Sequence, residues 1–136
     1  MLGGGKLKFP CEIVVKDILP VVRALLAKEL VYKYGFKQTA VALMLGTSQA
    51  SINYYLHSKR GYKSKIVKEL KGLEETIEKI AEGLAQGELT QIKILEEVCG
   101  ICMKLRARNT ICQLHEAILP TIKGQNCKIC MELTKR

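Results

Sequence analysis

The sequence predicts an all-α protein: an N-terminal helix-turn-helix bundle, a linking amphipathic helix and a small helical C-terminal module rich in cysteine. Three observations lead there. The 136 residues include only three prolines and no tryptophan, with abundant Leu, Ile, Ala, Lys and Glu, which favours helix. Residues 38–57, QTAVALMLGTSQASINYYLH, carry two short runs of helical spacing joined by a glycine. Five of the six cysteines fall within residues 99–130, as two Cys-x2-Cys pairs and one Cys-x2-His pair. An apolar content of 48% is enough for a folded core and too high for a disordered chain.

Residues 1–9 read as a flexible basic arm with three glycines, Lys6 and Lys8. A short helix is expected over 11–17. Leu19-Pro20 then marks a new start, since proline suits the first turn of a helix. The run PVVRALLAKELVYKY follows, with Val22, Leu25, Leu26 and Leu30 apolar, and Gly35 closes it as a C-terminal glycine. In 38–57, Val41, Leu45, Ile52 and Tyr55 are expected to point inward. Ala42 is small where the two helices cross, and Gly46 supplies the positive φ of the turn at little cost. Ser48, Gln49, Ala50, Asn53, Tyr54 and His57 are left on the outer face of the second helix. The second helix of such a unit enters the DNA major groove.

Lys59, Arg60, Lys63 and Lys65 follow at once, a basic turn suited to phosphates. The charge distribution agrees. Residues 1–71 hold 13 Lys/Arg and 4 Asp/Glu, and residues 72–136 hold 9 of each, so the whole net charge of +9 belongs to the first half. That segregation points to a phosphate-binding surface.

Residues 64–86 form an amphipathic linking helix. Ile66, Leu70, Leu73, Ile77, Ile80 and Leu84 recur at 4-3-4-3-4, a heptad seam about two and a half heptads long. The seam suits either an internal core helix or a dimerising one. Glu69 and Glu74 would oppose each other in a parallel dimer, which favours antiparallel pairing or packing against other helices. Gly72 and Gly83 each cost a helix about 1 kcal/mol relative to alanine. Gln86-Gly87 breaks the run. Thr90 can cap the next helix over 91–108, with Ile92, Leu95, Val98 and Leu105 on one face. Asn109-Thr110 restarts the chain into a short helix over 111–119, closed by Pro120, and 121–136 reads as loop and tail.

The cysteines run Cys99-x2-Cys102, Cys112-x2-His115 and Cys127-x2-Cys130 within the module 87–136. No apolar run reaches the ~18–20 residues of a membrane span, and MLGGGKLKFP lacks the apolar core of a signal peptide, so a cytoplasmic chain is expected. Thiols there stay reduced, and close pairs suggest a metal rather than disulfides. Zinc held by Cys99, Cys102, Cys127 and Cys130 is the first choice, with Cys112 and His115 as alternates. A [4Fe-4S] cluster on Cys99, Cys102, Cys112 and one of the last pair is the rival. Isolated Cys11 reads as a core or unpaired thiol. A catalytic Cys112–His115 pair lacks any visible orienting group or oxyanion site, so no enzyme is expected.

The stretch 10–61 also resembles a known family. PCE at 10–12, LP at 19–20, Arg23, LAKEL at 26–30, YG at 34–35, Gln38, Ala42, LG at 45–46, SQASI at 48–52, YL at 55–56 and KRG at 59–61 are similar to archaeal transcriptional regulators. Their DNA-binding domain is of the Cro/repressor, or XRE, type. The resemblance covers about 50 residues, and the cysteine-rich tail looks like that of a small-regulator branch. It implies a five-helix DNA-binding domain over 10–63, operator binding and a homodimer. Asn53 and Tyr54 depart from the usual Ser/Gln-type pair of that recognition helix. Expected roles are a phosphate contact for Gln38, and base readout by Gln49 and Asn53, whose amides suit adenine. Ser48 and Ser51 would contact phosphates or bases, and Ala50 a thymine methyl. Tyr54, Lys59, Arg60 and Lys63 would hold the backbone register. An adaptor that binds a protein partner without specific DNA contact is the other function class.

Overall fold

The structure is a computed structural model that describes residues 7–57 and 72–134. Lys59, Arg60 and Lys63, with the Ile66 and Leu70 part of the seam, lie outside the described residues, as do residues 1–6. Among the described residues the chain is helical with no strand, which bears out the all-α class. No helix among them is long and apolar enough to cross a membrane.

The chain begins with α1 (Pro10–Ile13), runs through a π-helical stretch (Val14–Ile18) into α2 (Leu19–Lys28), and ends in a second π-helical stretch (Glu29–Lys33). The sequence suggested a break before Pro20, and the structure shows none. Pro20 lacks an N–H, and its ring would clash with the carbonyl four residues back in a regular helix. The wider turn absorbs it: Leu19 N–H reaches Val14, five residues back, and the axis continues. Gly35 follows with φ +73°, where its N–H bonds the Val31 carbonyl at 3.1 Å.

Then come α3 (Gln38–Leu45) and α4 (Gln49–His57). Between them Gly46 sits at φ +66°. Thr47 N–H bonds the Ala42 carbonyl at 3.0 Å and Gly46 N–H bonds Leu43 at 3.4 Å, the paired bonds that close a helix on a left-handed residue. Val41, Ala42 and Ile52 are buried as expected, whereas Leu45 and Tyr55 are only half-buried. Leu56, one turn beyond Ile52, takes the remaining inward place.

The second half holds α5 (Leu73–Gln86), α6 (Gln91–Ala107), α7 (Thr110–Ile118), a 3-10 turn (Pro120–Ile122) and α8 (Ile129–Thr134). Leu73, Ile77 and Ile80 of the seam are buried within the chain, where α5 packs against α2 and α6. Buried side chains from Ile13 to Cys130 form a single cluster, so the α3–α4 pair and the cysteine-bearing helices share one core.

Thr90 caps α6 as expected, its hydroxyl accepting from Lys93 N–H at 3.2 Å. The inward face of α6 differs from the expected one. Ile94, Val98, Ile101 and Leu105 pack on the core, whereas Ile92 and Leu95 stand 70% and 63% exposed. Both stripes have helical spacing in the sequence, and only tertiary packing chooses between them. The tail also differs. Residues 129–134 form α8, which packs on α6 and carries buried Cys130. Six residues cannot hold a helix alone, so packing supplies what local propensity lacks.

Gly83 has a packing role. A Cβ there would lie 2.3 Å from Leu89 Cγ, because the chain folds back over Gly83 as Glu88 and Leu89 N–H both bond its carbonyl. Alanine normally gains about 1 kcal/mol over glycine in a helix. At Gly83 we expect the reverse, a net loss of about 1–2 kcal/mol from overpacking. Thermal melts of Gly83→Ala and Gly83→Ala/Leu89→Ala check it. An unchanged or raised Tm in the single variant contradicts the close approach.

Candidate functional site

The outward face of α4 is the first candidate. Gln49, Ala50, Asn53, Tyr54 and His57 are exposed and recur at helical spacing on one side. Opposite them Ile52 is 0% exposed and Leu56 is buried, which holds the helix against α2 and α3. Ser48 anchors its start. Ser51 N–H donates to Ser48 Oγ at 3.1 Å, and the Ser48 hydroxyl donates to Ser51 Oγ at 3.0 Å. Such a cap contributes about 1 kcal/mol. Ser48 and Ser51 are therefore engaged with each other, a capping role that the Ser48-x2-Ser51 spacing signals.

The other expected contacts fall as follows. His57 Nδ1 donates to the Asn53 carbonyl at 2.8 Å, which ties the last turn while the Asn53 side chain stays exposed. Tyr54 is 59% exposed and meets Tyr55 edge-on with ring centroids 6.2 Å apart. Gln38 is half-buried as the first residue of α3, after exposed Lys37. Residues 58–71, outside the described part, hold six Lys/Arg against Glu69, a net of +5 out of the total +9.

The cysteines divide into two groups. Cys99 and Cys102 lie on α6, Cys99 exposed and Cys102 half-buried. Burial raises the Cys102 thiol above its ordinary pKa, neighbouring Cys99 adds to this, and the Arg106 guanidinium works against it. The second group lines a cavity of about 210 Å³: Cys112 and His115 from α7, Cys127 from the preceding loop and Cys130 from α8. Burial is also the main cause that pushes the Cys112 thiol up, with Cys130, Cys127 and Glu116 adding to it. Residues 7–10 form a further wall, and the Lys8 carbonyl accepts from His115 Nε2 at 2.5 Å. Part of the expected N-terminal arm is thus seated on the tail, a contact that nothing in the sequence signals. Among the described residues, no three Cys, His, Asp or Glu side chains already converge on one point in metal-holding geometry. The structure does not gather Cys99 and Cys102 with Cys127 and Cys130 around this cavity.

No family model, curated protein or solved structure matches this chain.

Thiol reactivity follows from these environments, since the thiolate is the reacting form. Cys11 and Cys99 are exposed, whereas the raised pKa of Cys102 and Cys112 delays thiolate formation to higher pH. A short pulse of iodoacetamide on metal-free protein at neutral pH should label Cys11 and Cys99 first, and Cys102 and Cys112 late. Peptide mass spectrometry reads the order, and Cys112 labelling as fast as Cys99 contradicts it.

Proposed function

We propose that the chain is a sequence-specific DNA-binding transcriptional regulator of Cro/repressor-like type, working in the cytoplasm as a homodimer. Residues 10–63 bind double-stranded DNA, and the cysteine-bearing part holds a metal, zinc as first choice and a [4Fe-4S] cluster as the rival. The reading is carried by one observation: α4 is pinned by buried Ile52 and Leu56 while Gln49, Ala50, Asn53 and Tyr54 stand outward. A helix so anchored and amide-bearing is suited to a major groove. Gln38 at the start of α3 would meet a phosphate, and Lys59, Arg60 and Lys63 would supply charge for the backbone. The metal serves as a structural staple, or as a sensor if it is an iron-sulfur cluster.

A second reading is an adaptor that binds a protein partner without specific DNA contact. It is favoured by Ile92 and Leu95, exposed neighbours on α6. Fluorescence anisotropy on duplexes from the protein's own promoter and on scrambled duplexes, at several salt concentrations, separates the two. Regulator function predicts preference for one duplex and a steep salt dependence. Equal weak binding to both sequences favours the adaptor.

A further inference from the structure

The thiol-lined cavity is a candidate site of different composition from the four-cysteine set. We infer that Cys112, His115, Cys127 and Cys130 form a binding site for a single zinc ion, with three thiolates and one imidazole as ligands. This deepens the metal part of the proposed function and is independent of the DNA-binding part.

Three observations carry it. First, the four donors line one cavity, although they come from two helices and a loop. Cys112 and His115 are three residues apart on α7, the spacing that brings two side chains onto one helical face. Cys127 and Cys130 repeat that spacing across the start of α8. Second, the imidazole is prepared for coordination. A carbonyl can only accept, so the bond to Lys8 makes His115 Nε2 the donor. In the neutral imidazole Nδ1 then carries the lone pair and, among the described residues, has no hydrogen-bond partner. A metal-binding histidine usually donates its other ring N–H to a carbonyl or carboxylate, the role that the Lys8 carbonyl fills here. Third, the surrounding walls are apolar, with Phe9, Pro10, Leu119 and Ile122 among them. Apolar walls limit water access and strengthen charge interactions inside the site.

Three sulfurs and one nitrogen suit zinc, which accepts tetrahedral Cys3His sets. Cys99 and Cys102 are not needed. The donors do not yet stand in holding geometry, so zinc entry requires them to draw together. Ligand assembly on binding is usual for small metal-held modules. Because residues 7–10 form one wall, zinc would also fasten the start of the N-terminal helix to the tail.

The test uses the full chain from zinc-replete growth. Elemental analysis should find about one zinc per chain, and zinc-edge X-ray absorption should find three sulfurs at about 2.3 Å and one nitrogen at about 2.0 Å. Cys112 and Cys130 are buried, so replacing them would also disturb the core, and this measurement on the unaltered protein decides the ligand set. His115→Gln should shift the cobalt(II) absorption bands and weaken cobalt binding at least about tenfold, since loss of an outer partner alone costs that much. Cys99→Ser and Cys102→Ser should keep full zinc and an unchanged cobalt spectrum. A four-sulfur shell, or loss of zinc in either of those two variants, overturns this ligand set while the metal reading stands. Iron with sulfide in place of zinc also overturns it. No bound metal overturns both.

Discussion

If the chain reads DNA as proposed, replacing Gln49 by alanine should lower affinity for the specific DNA site by about 1–3 kcal/mol, roughly 5- to 150-fold, and leave affinity for random duplex unchanged. The expectation rests on position as much as on residue type. Gln49 is the first residue of α4 and is exposed, and residues at the start of a recognition helix contact base edges. Its amide can donate and accept at once, the pattern that an adenine edge requires. The capping bonds belong to Ser48 and Ser51, and the inward packing to Ile52 and Leu56. Removing the Gln49 amide therefore leaves the helix and its stability as they were. Asn53 lies one turn further along the same exposed face, so Asn53→Ala should act at a different base pair. Lys63→Ala is the control, weakening binding to all sequences alike and lowering the salt slope by about 1. Competition titrations on specific and scrambled duplexes at fixed salt measure both effects. Equal losses for Gln49→Ala on the two duplexes remove it from base readout.

How far the sequence could be read depended on whether a feature was local. The turn at Gly46 is local, because positive φ, the Ala42 crossing and the capping serine all fall within a few residues. The Thr90 cap is local in the same sense. The inward face of α6 is not. Ile92 and Leu95 fit a helical stripe as well as Ile94 and Ile101 do, and the choice between them is made by packing against other helices. α8 was hidden for a related reason, since its six residues are held by contact with α6. The cysteine spacing announced donor pairs and left their partnership open. Cys112 and His115, read as alternates, share the cavity with Cys127 and Cys130, and that proximity arises from chain segments far apart in sequence. The contact between Lys8 and His115, 107 residues apart, had no sequence signal at all.

The shared core yields the second large expected effect. Leu105 on α6 is 0% exposed and belongs to the same buried cluster as Val41 of α3 and Ile52 of α4. Leu105→Ala should cost about 2–5 kcal/mol through lost burial and an unfilled cavity. For a chain of this size that is a drop in Tm on the order of 10 °C. The informative part is where the loss is felt. All five tyrosines, at positions 32, 34, 54, 55 and 62, lie in the first half, and the chain has no tryptophan. Tyrosine emission therefore reports the N-terminal half alone, while far-ultraviolet circular dichroism reports every helix. α5 packs on both α2 and α6, so a cavity beside Leu105 weakens the frame that holds α4. Both signals should fall together in one transition, at a lower temperature than in the unaltered protein. If the halves unfold separately, tyrosine emission keeps its original midpoint and the dichroism trace splits in two.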